Sequence, residues 1–251
     1  MPSLAETYLA TATAMLQRTC ARNAPVLKKL GAVIGESVAR GGVLHTFGSG
    51  HSDVISREII GRAGGLVCVS GIQDPTGGYV ENLVGYGTKL AERYDRAHGL
   101  LPGETIIVIS NSGKNSSPIE VAHYAKHQGL HVVALTCVEM SKAASTVYPG
   151  GKKLHEIADY VLDNGGVPGD AIVDVGLAPA DLPAGATAKA GPTSTLIGAT
   201  LLNLLSLEVL DWLKAGGHPL PVLRSQNLPG AIEHNRALGQ KYKGRLSRQL
   251  A

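Results

Sequence analysis

Aromatic side chains are scarce. They make up 4% of the 251 residues, with a single Trp and a single Phe, too few for the stacking platforms that grip single-stranded nucleic acid. An excess of one charge is missing too: 23 Lys and Arg stand against 20 Asp and Glu, a net +3. That balance builds no broad basic face, so neither nucleic acid nor a membrane surface is expected as a partner. Cysteine is limited to Cys20, Cys68 and Cys137. An odd, scattered set excludes a full disulfide framework and suits a reducing cytoplasm. Each reads most simply as a small buried apolar side chain. No long apolar run is free of polar residues. The most apolar stretch, Leu196 to Leu213, holds Asn203, Glu208 and Asp211, which marks a core helix and not a membrane span. Met1 to Arg18 lacks a basic segment followed by an apolar one, so no signal peptide is expected. Repeats, low-complexity segments and a clear linker are absent as well.

Glycine, at 32 residues, is what the chain has in plenty, and much of it falls where strands should end. Residues 4–21 and 25–40 read as two helices, Pro25 opening the second. Val43 to Phe47 is a short apolar strand, followed by a helix from Asp53 to Ala63. Leu66 to Ser70 is the next strand. Gly71 to Gly87 reads as a long loop, and such loops inside compact domains are often functional. A helix over Thr88 to Ala97 precedes strands at Ile106 to Ile109, His131 to Thr136 and Tyr160 to Leu162. Pro168 to Gly191 looks irregular, Thr193 to Ala215 is a long helix, and the basic tail from Leu228 to Leu250 is expected to pack as a helix on a neighbouring subunit. Strands alternating with helices predict one domain, an α/β three-layer α-β-α sandwich on a five-stranded parallel sheet, with extra helices at both ends.

The chain is organised around residues 106–118. Ile106 to Ile109 is a β-branched run that suits a strand buried on both faces. It enters Ser110-Asn111-Ser112-Gly113-Lys114-Asn115-Ser116-Ser117-Pro118, where Ser116 or Ser117 can cap a helix and Pro118 can open it. Strand, tight Ser/Gly loop and helix N-terminus together make an anion site. Gly113 allows positive φ or close backbone approach. An ordinary βα turn needs one cap; Ser110, Ser112, Asn115, Ser116 and Ser117 within eight positions exceed that need. A second such loop, Gly48-Ser49-Gly50-His51-Ser52, follows another strand and should reach the same sheet edge. Pro192-Thr193-Ser194-Thr195 supplies a third capping signal there.

Other chemistries fit poorly. Gly48-Ser49-Gly50 is no dinucleotide fingerprint, because Asp53 stands where the third glycine belongs and no acidic residue ends the second strand. No Gly-x-Ser-x-Gly elbow follows a strand. His45 and His51 have no third metal ligand at a recognisable spacing. His45 alternates with Val43 and Phe47, as a core histidine would; His51 lies in the loop and is the better functional candidate. Glu58, in Arg57-Glu58-Ile59-Ile60-Gly61-Arg62, is either a solvated helix carboxylate or a proton carrier facing the sheet edge.

These residues resemble the SIS (sugar isomerase) domain family of phosphosugar-binding proteins over roughly residues 25 to 215. The likeness rests on Phe47 to Ser52, on Ile109 to Asn115, and on Glu58 in its segment, which is similar to that of the catalytic glutamate of sedoheptulose 7-phosphate isomerases. Asn115 stands where many members have Thr. The resemblance implies a phosphorylated sugar as ligand, held by Ser49, Gly50, Ser52, Ser110, Asn111, Ser112, Gly113, Asn115, Ser116 and Thr193. It implies aldose–ketose isomerisation with Glu58 as proton carrier and no metal or organic cofactor, and a homodimer or homotetramer. The histidine that those isomerases carry on the last long helix is absent between Thr193 and Ala215. His51, or His218 or His234 of the partner subunit, is expected to take its part. An N-acetylmuramic acid 6-phosphate etherase-like lyase and a non-catalytic phosphosugar sensor are the alternatives.

Overall fold

The computed structural model describes residues 2–177 and 188–247. The chain opens with α1 (Leu4–Ala39), capped by reciprocal Ser3–Glu6 hydrogen bonds, a capping box. It is one helix, not two, and Pro25 lies inside it. Proline removes one N–H and crowds the carbonyl a turn earlier. Here Pro25 and Ala21 both lie on the exposed side, so the freed carbonyl faces water and the helix persists. The opposite stripe, including Met15, Leu27, Leu30, Ile34 and Val38, is buried.

Five strands follow: β1 (Leu44–Gly48), β2 (Val69–Ile72), β3 (Thr105–Ile109), β4 (His131–Thr136) and β5 (Tyr160–Asp163). They form one parallel sheet in the order β2-β1-β3-β4-β5. Between or after them run α2 (Ser52–Glu58), α3 (Tyr86–His98), α4 (Ser116–His127), α5 (Val138–Ala143) and α6 (Leu154–Ile157). The expected α/β sandwich is therefore present. Alternate strand residues feed two cores: Ile107, Ile109, Val133 and Leu135 face one, Ile106, Val108, Val132 and Ala134 the other. Burial on both faces is why these strands read as unbroken apolar runs, each large side chain contributing about 1.5–3 kcal/mol.

Several expected boundaries move. The second strand starts later than Leu66, because residues 64–67 bond instead with the segment around Leu223. Gly64 donates to Leu223 O, Val67 to Pro221 O, and Leu223 back to Gly65 O. The helix expected to reach Ala63 stops at Glu58, and Gly61 and Gly64 beyond it take positive φ, open only to glycine at low cost. The stretch expected to be irregular contains an antiparallel ribbon, β6 (Ala171–Asp174) with β7 (Lys189–Pro192); residues 178–187 of it lie outside the described set.

The long helix α7 (Ser194–Ala215) packs against α1 and shares its core through Ile197, Leu201, Leu205, Val209 and Leu213. By length and composition alone it is apolar enough to cross a membrane, but its buried stripe is the floor of the core. The tail forms α8 (Ala231–Gln240), and its far end packs on its own chain. Tyr242 is buried in the same core, and Arg245 reaches Glu104. Tail residues 248–251 lie outside the described set.

Candidate functional site

In the order 2-1-3-4-5 the chain leaves β1 toward one edge and β3 toward the other, opening a crevice at their carboxyl ends. The turns after β1 and β3 meet there. A cleft of about 450 Å³ is lined by Ser49, Gly50, His51 and Ser52 from the first turn and by Ser110, Asn111, Ser112 and Asn115 from the second. Eight expected site residues are thus brought together. A neighbouring cavity of about 380 Å³ shares His51, Ser52 and Asn111 with it and continues toward Asn164 and the start of α7.

The second turn is tightened from within. Gly113 N–H donates to Ser110 Oγ at 3.2 Å, and Gly113 adopts φ +61 with Ser141 and Thr136 packed where a side chain would sit. Gly113 therefore shapes the turn and does not line the cleft. Asn111 is fixed by Asn164, whose Nδ2 donates to Asn111 Oδ1 at 2.8 Å. At the N-terminus of α4, Asn115 makes no capping bond. Asn115 Oδ1 and the Ser116 and Ser117 hydroxyls are buried without a hydrogen-bond partner. Ser116 is wholly buried behind the rim.

The third capping signal has a different fate. Thr193 is fully buried. Its N–H and that of Ser194 donate to Asp170 Oδ1 at 3.2 and 3.0 Å, and both hydroxyls donate to the same carboxylate. The protein's own anion fills the N-terminus of α7, so Thr193 is committed to Asp170 and not to the main cleft. Asp170 sits at φ +57, the one non-glycine positive φ among the described residues. Aspartate tolerates that region better than most side chains.

Glu58 ends α2, pairs with Arg62 one turn on, and lines neither cavity. The structure does not bring it to the cleft wall. The carboxylate that does stand there is Glu81, on the loop after β2. Asn115 Nδ2 donates to Glu81 Oε1 at 2.6 Å, and Ser117 N–H donates to its carbonyl at 2.8 Å. Burial pushes the Glu81 carboxyl above its usual range and Asp74 nearby adds to this, against the hydrogen bond from Asn115, the nearby Ser49 hydroxyl and the charge of Lys114.

Asp74 holds the loop in place. It accepts from Ser49 Oγ, Thr76 N–H and Oγ1, Gly78 N–H and Tyr86 Oη, all at 2.7 to 3.0 Å. Burial would raise its carboxyl, but the bonds from Thr76, Tyr86 and Ser49 outweigh that and hold it low. Gly78 (φ +93) presses on Gly50, where an added Cβ would stand 2.8 Å from Gly50 N. Glu120 of α4 accepts from Gly85 and Thr88 N–H at the loop's far end. Sequence length marked this loop as functional; nothing local marked Asp74 or Glu81, whose roles depend on contacts with the two turns.

Another buried carboxylate, Glu104, belongs elsewhere. It precedes β3, whereas the cleft follows it, about 17 Å away at strand rise. It accepts from His45 Nε2 at 2.9 Å, from Val43 and Leu101 N–H and from Arg245, and it ties the amino edge of the sheet together. His45, fully buried, is a core histidine. Among the described residues no group of three His, Cys, Asp or Glu is placed to hold a metal ion.

A 2-1-3-4-5 sheet with two hydroxyl-lined turns at its switch point defines a class. The chain belongs to the SIS domain family, which it matches over residues 7–137. Within that class it is a member of the UPF0309 family. It is 34% identical over 234 residues to a UPF0309 protein of Listeria monocytogenes, covering 93% of this chain and 94% of that one. To a UPF0309 protein of Caldanaerobacter subterraneus it is 36% identical over 231 residues, covering 88% and 89%. Among solved structures, a phosphoheptose isomerase from Francisella tularensis superposes with a TM-score of 0.52 at 15% identity, over 83% of this chain and 98% of that one. That likeness speaks for the fold.

Proposed function

We propose that the main cleft binds a phosphorylated sugar and interconverts its aldose and ketose forms. The observation that carries this reading is the cleft-lining start of α4, where Asn115 makes no capping bond and its Oδ1 is buried without a partner. The N-terminus of α7, by contrast, is filled by Asp170. A helix N-terminus favours an anion, and unpaired buried polar groups cost about 1–3 kcal/mol each until they are satisfied. Ser110, Ser112 and the start of α4 hold the phosphate in this reading. Ser49, Gly50, Ser52, Asn111 and Asn115 hold the sugar hydroxyls. His51, which lines both cavities, moves protons on the sugar oxygens. The Francisella relative is a phosphoheptose isomerase, a chemistry of the same class. Assembly into a homodimer or homotetramer belongs to the reading, supported by Leu196 and Leu207 exposed on α7.

The test is a thermal-shift series with five-, six- and seven-carbon sugar phosphates beside the free sugars, followed by proton exchange at C2 in D2O for each binder. Stabilisation by phosphates alone, with exchange, is the expected result. Release of lactate from an N-acetylmuramic acid phosphate would assign ether cleavage instead, and binding without exchange a sensor.

A further inference from the structure

We propose that Glu81 is the catalytic base of this cleft, the group that carries a proton between adjacent carbons of the sugar; this rests on the isomerase reading above. Glu81 is the one carboxylate among the residues lining the main cleft. Asp74, behind it, already accepts five hydrogen bonds, and Asp170 in the neighbouring cavity is committed to α7. Glu81 borders the second turn: its carboxylate accepts from Asn115 Nδ2 and its carbonyl from Ser117 N–H. A phosphate held by Ser110 and Ser112 leaves the sugar chain to pass Asn115, whose Nδ2 bonds the Glu81 carboxylate. The loop is pinned at Asp74, at Ser117 N–H and at Glu120, so the carboxylate is held in position before substrate arrives, as proton transfer requires.

The groups facing Glu81 are Asp74 on its own loop, Ser49 beyond the end of β1, and Lys114 and Asn115 before α4. Burial and Asp74 keep its proton affinity above that of a surface carboxylate, which suits a group that must take a proton from carbon and return it. In the forward direction Glu81 removes the C2 proton of the open-chain aldose. The C2–H electron pair becomes the C1–C2 double bond, and the carbonyl pair moves to O1, which takes a proton from His51. His51 then removes the O2 proton. The O2–H pair forms the C2 carbonyl, and the double-bond pair takes the proton back from Glu81 at C1. No net oxidation occurs and both side chains are restored.

The experiment uses the full chain and the sugar phosphate that gives the largest thermal shift. C2 exchange in D2O is followed by proton NMR in wild type, Glu81→Gln, Glu81→Asp and Glu58→Gln. Gln keeps an acceptor for Asn115, so the cleft keeps its shape. Glu81→Gln is expected to slow exchange by at least ~100-fold, with affinity for the same phosphate changed less than about threefold. Glu81→Asp should fall between. The acid limb of the wild-type pH profile should lie above the usual carboxylate range and vanish in Glu81→Gln. Exchange surviving in Glu81→Gln, or lost in Glu58→Gln alone, overturns the assignment and leaves the isomerase reading standing. Binding without exchange in wild type overturns both.

Discussion

Ser112 and Asp170 show how two residues at one sheet edge take opposite parts. Ser112 lines the cleft at the tip of the second turn, and in the proposed function its hydroxyl bonds a phosphate oxygen. Bonds to charged groups are worth about 1.5–3 kcal/mol. Ser112→Ala should therefore weaken phosphosugar binding roughly 10- to 100-fold, read by calorimetry, and leave the urea midpoint nearly unchanged. Asp170 should behave the other way round. Its carboxylate satisfies the first turn of α7 from a left-handed backbone position. Asp170→Ala removes the cap and puts an ill-suited residue at positive φ, a loss of about 1–2 kcal/mol by urea unfolding. Asp170→Asn keeps an acceptor and tolerates the conformation, so it should cost less than half of that.

At the scale of elements, the α1–α7 pair depends on small residues at its crossing. A Cβ built on Gly31 would stand 2.8 Å from Glu208 Cβ and 2.9 Å from the Glu208 carbonyl carbon, and one on Gly35 2.5 Å from the Trp212 ring. Trp212 can rotate, but backbone cannot move without parting the helices. Gly31→Ala should thus destabilise the chain by about 1–3 kcal/mol despite its better helix propensity, and a rise in stability on chemical unfolding would refute the tight crossing. The elements most legible in sequence were those whose pattern is local. β3 and β4 are apolar on both faces, and the Ser/Gly turns sit where a strand meets a helix. What escaped depended on distant partners. Pro25 reads as a helix start until Ala21 is seen to face solvent. Residues 64–67 read as a strand until the segment at Leu223 claims their hydrogen bonds. Glu58 reads equally as a solvated helix carboxylate or as one facing the sheet edge, and its side chain pairs with Arg62. Glu81 and Asp74 looked like loop residues because their partners lie on other turns.

The molecule as a whole divides its two edges between separate tasks. The carboxyl edge holds the cleft. The amino edge is locked by Glu104, His45, Tyr94 and Arg245, which join β1, β3, α3 and the tail. Burial pushes the His45 imidazole below its usual value, and Glu104 only partly opposes this. Burial would raise Glu104, but the bonds from His45, Leu101 and Val43 hold it down to about 2. Both shifts make the unfolded chain bind more protons than the folded one as pH falls, so stability drops toward acid. The His45 contribution is complete above about pH 6.5 and fades below it. The Glu104 contribution is complete above about 4.5 and fades toward 2, on the order of 3 kcal/mol in all. Urea midpoints measured from pH 8 to 3 should therefore fall in two stages. In Glu104→Gln the second stage should shrink and the protein be weaker throughout, because Arg245 loses its carboxylate. In His45→Gln the first stage should shrink without vanishing, since burial also holds down His123 and His155. Because this lock lies across the sheet from the cleft, neither substitution should shift the affinity for sugar phosphate at pH 8. A large loss of affinity there, with the fold intact, would place Glu104 in the site and break the division between the edges.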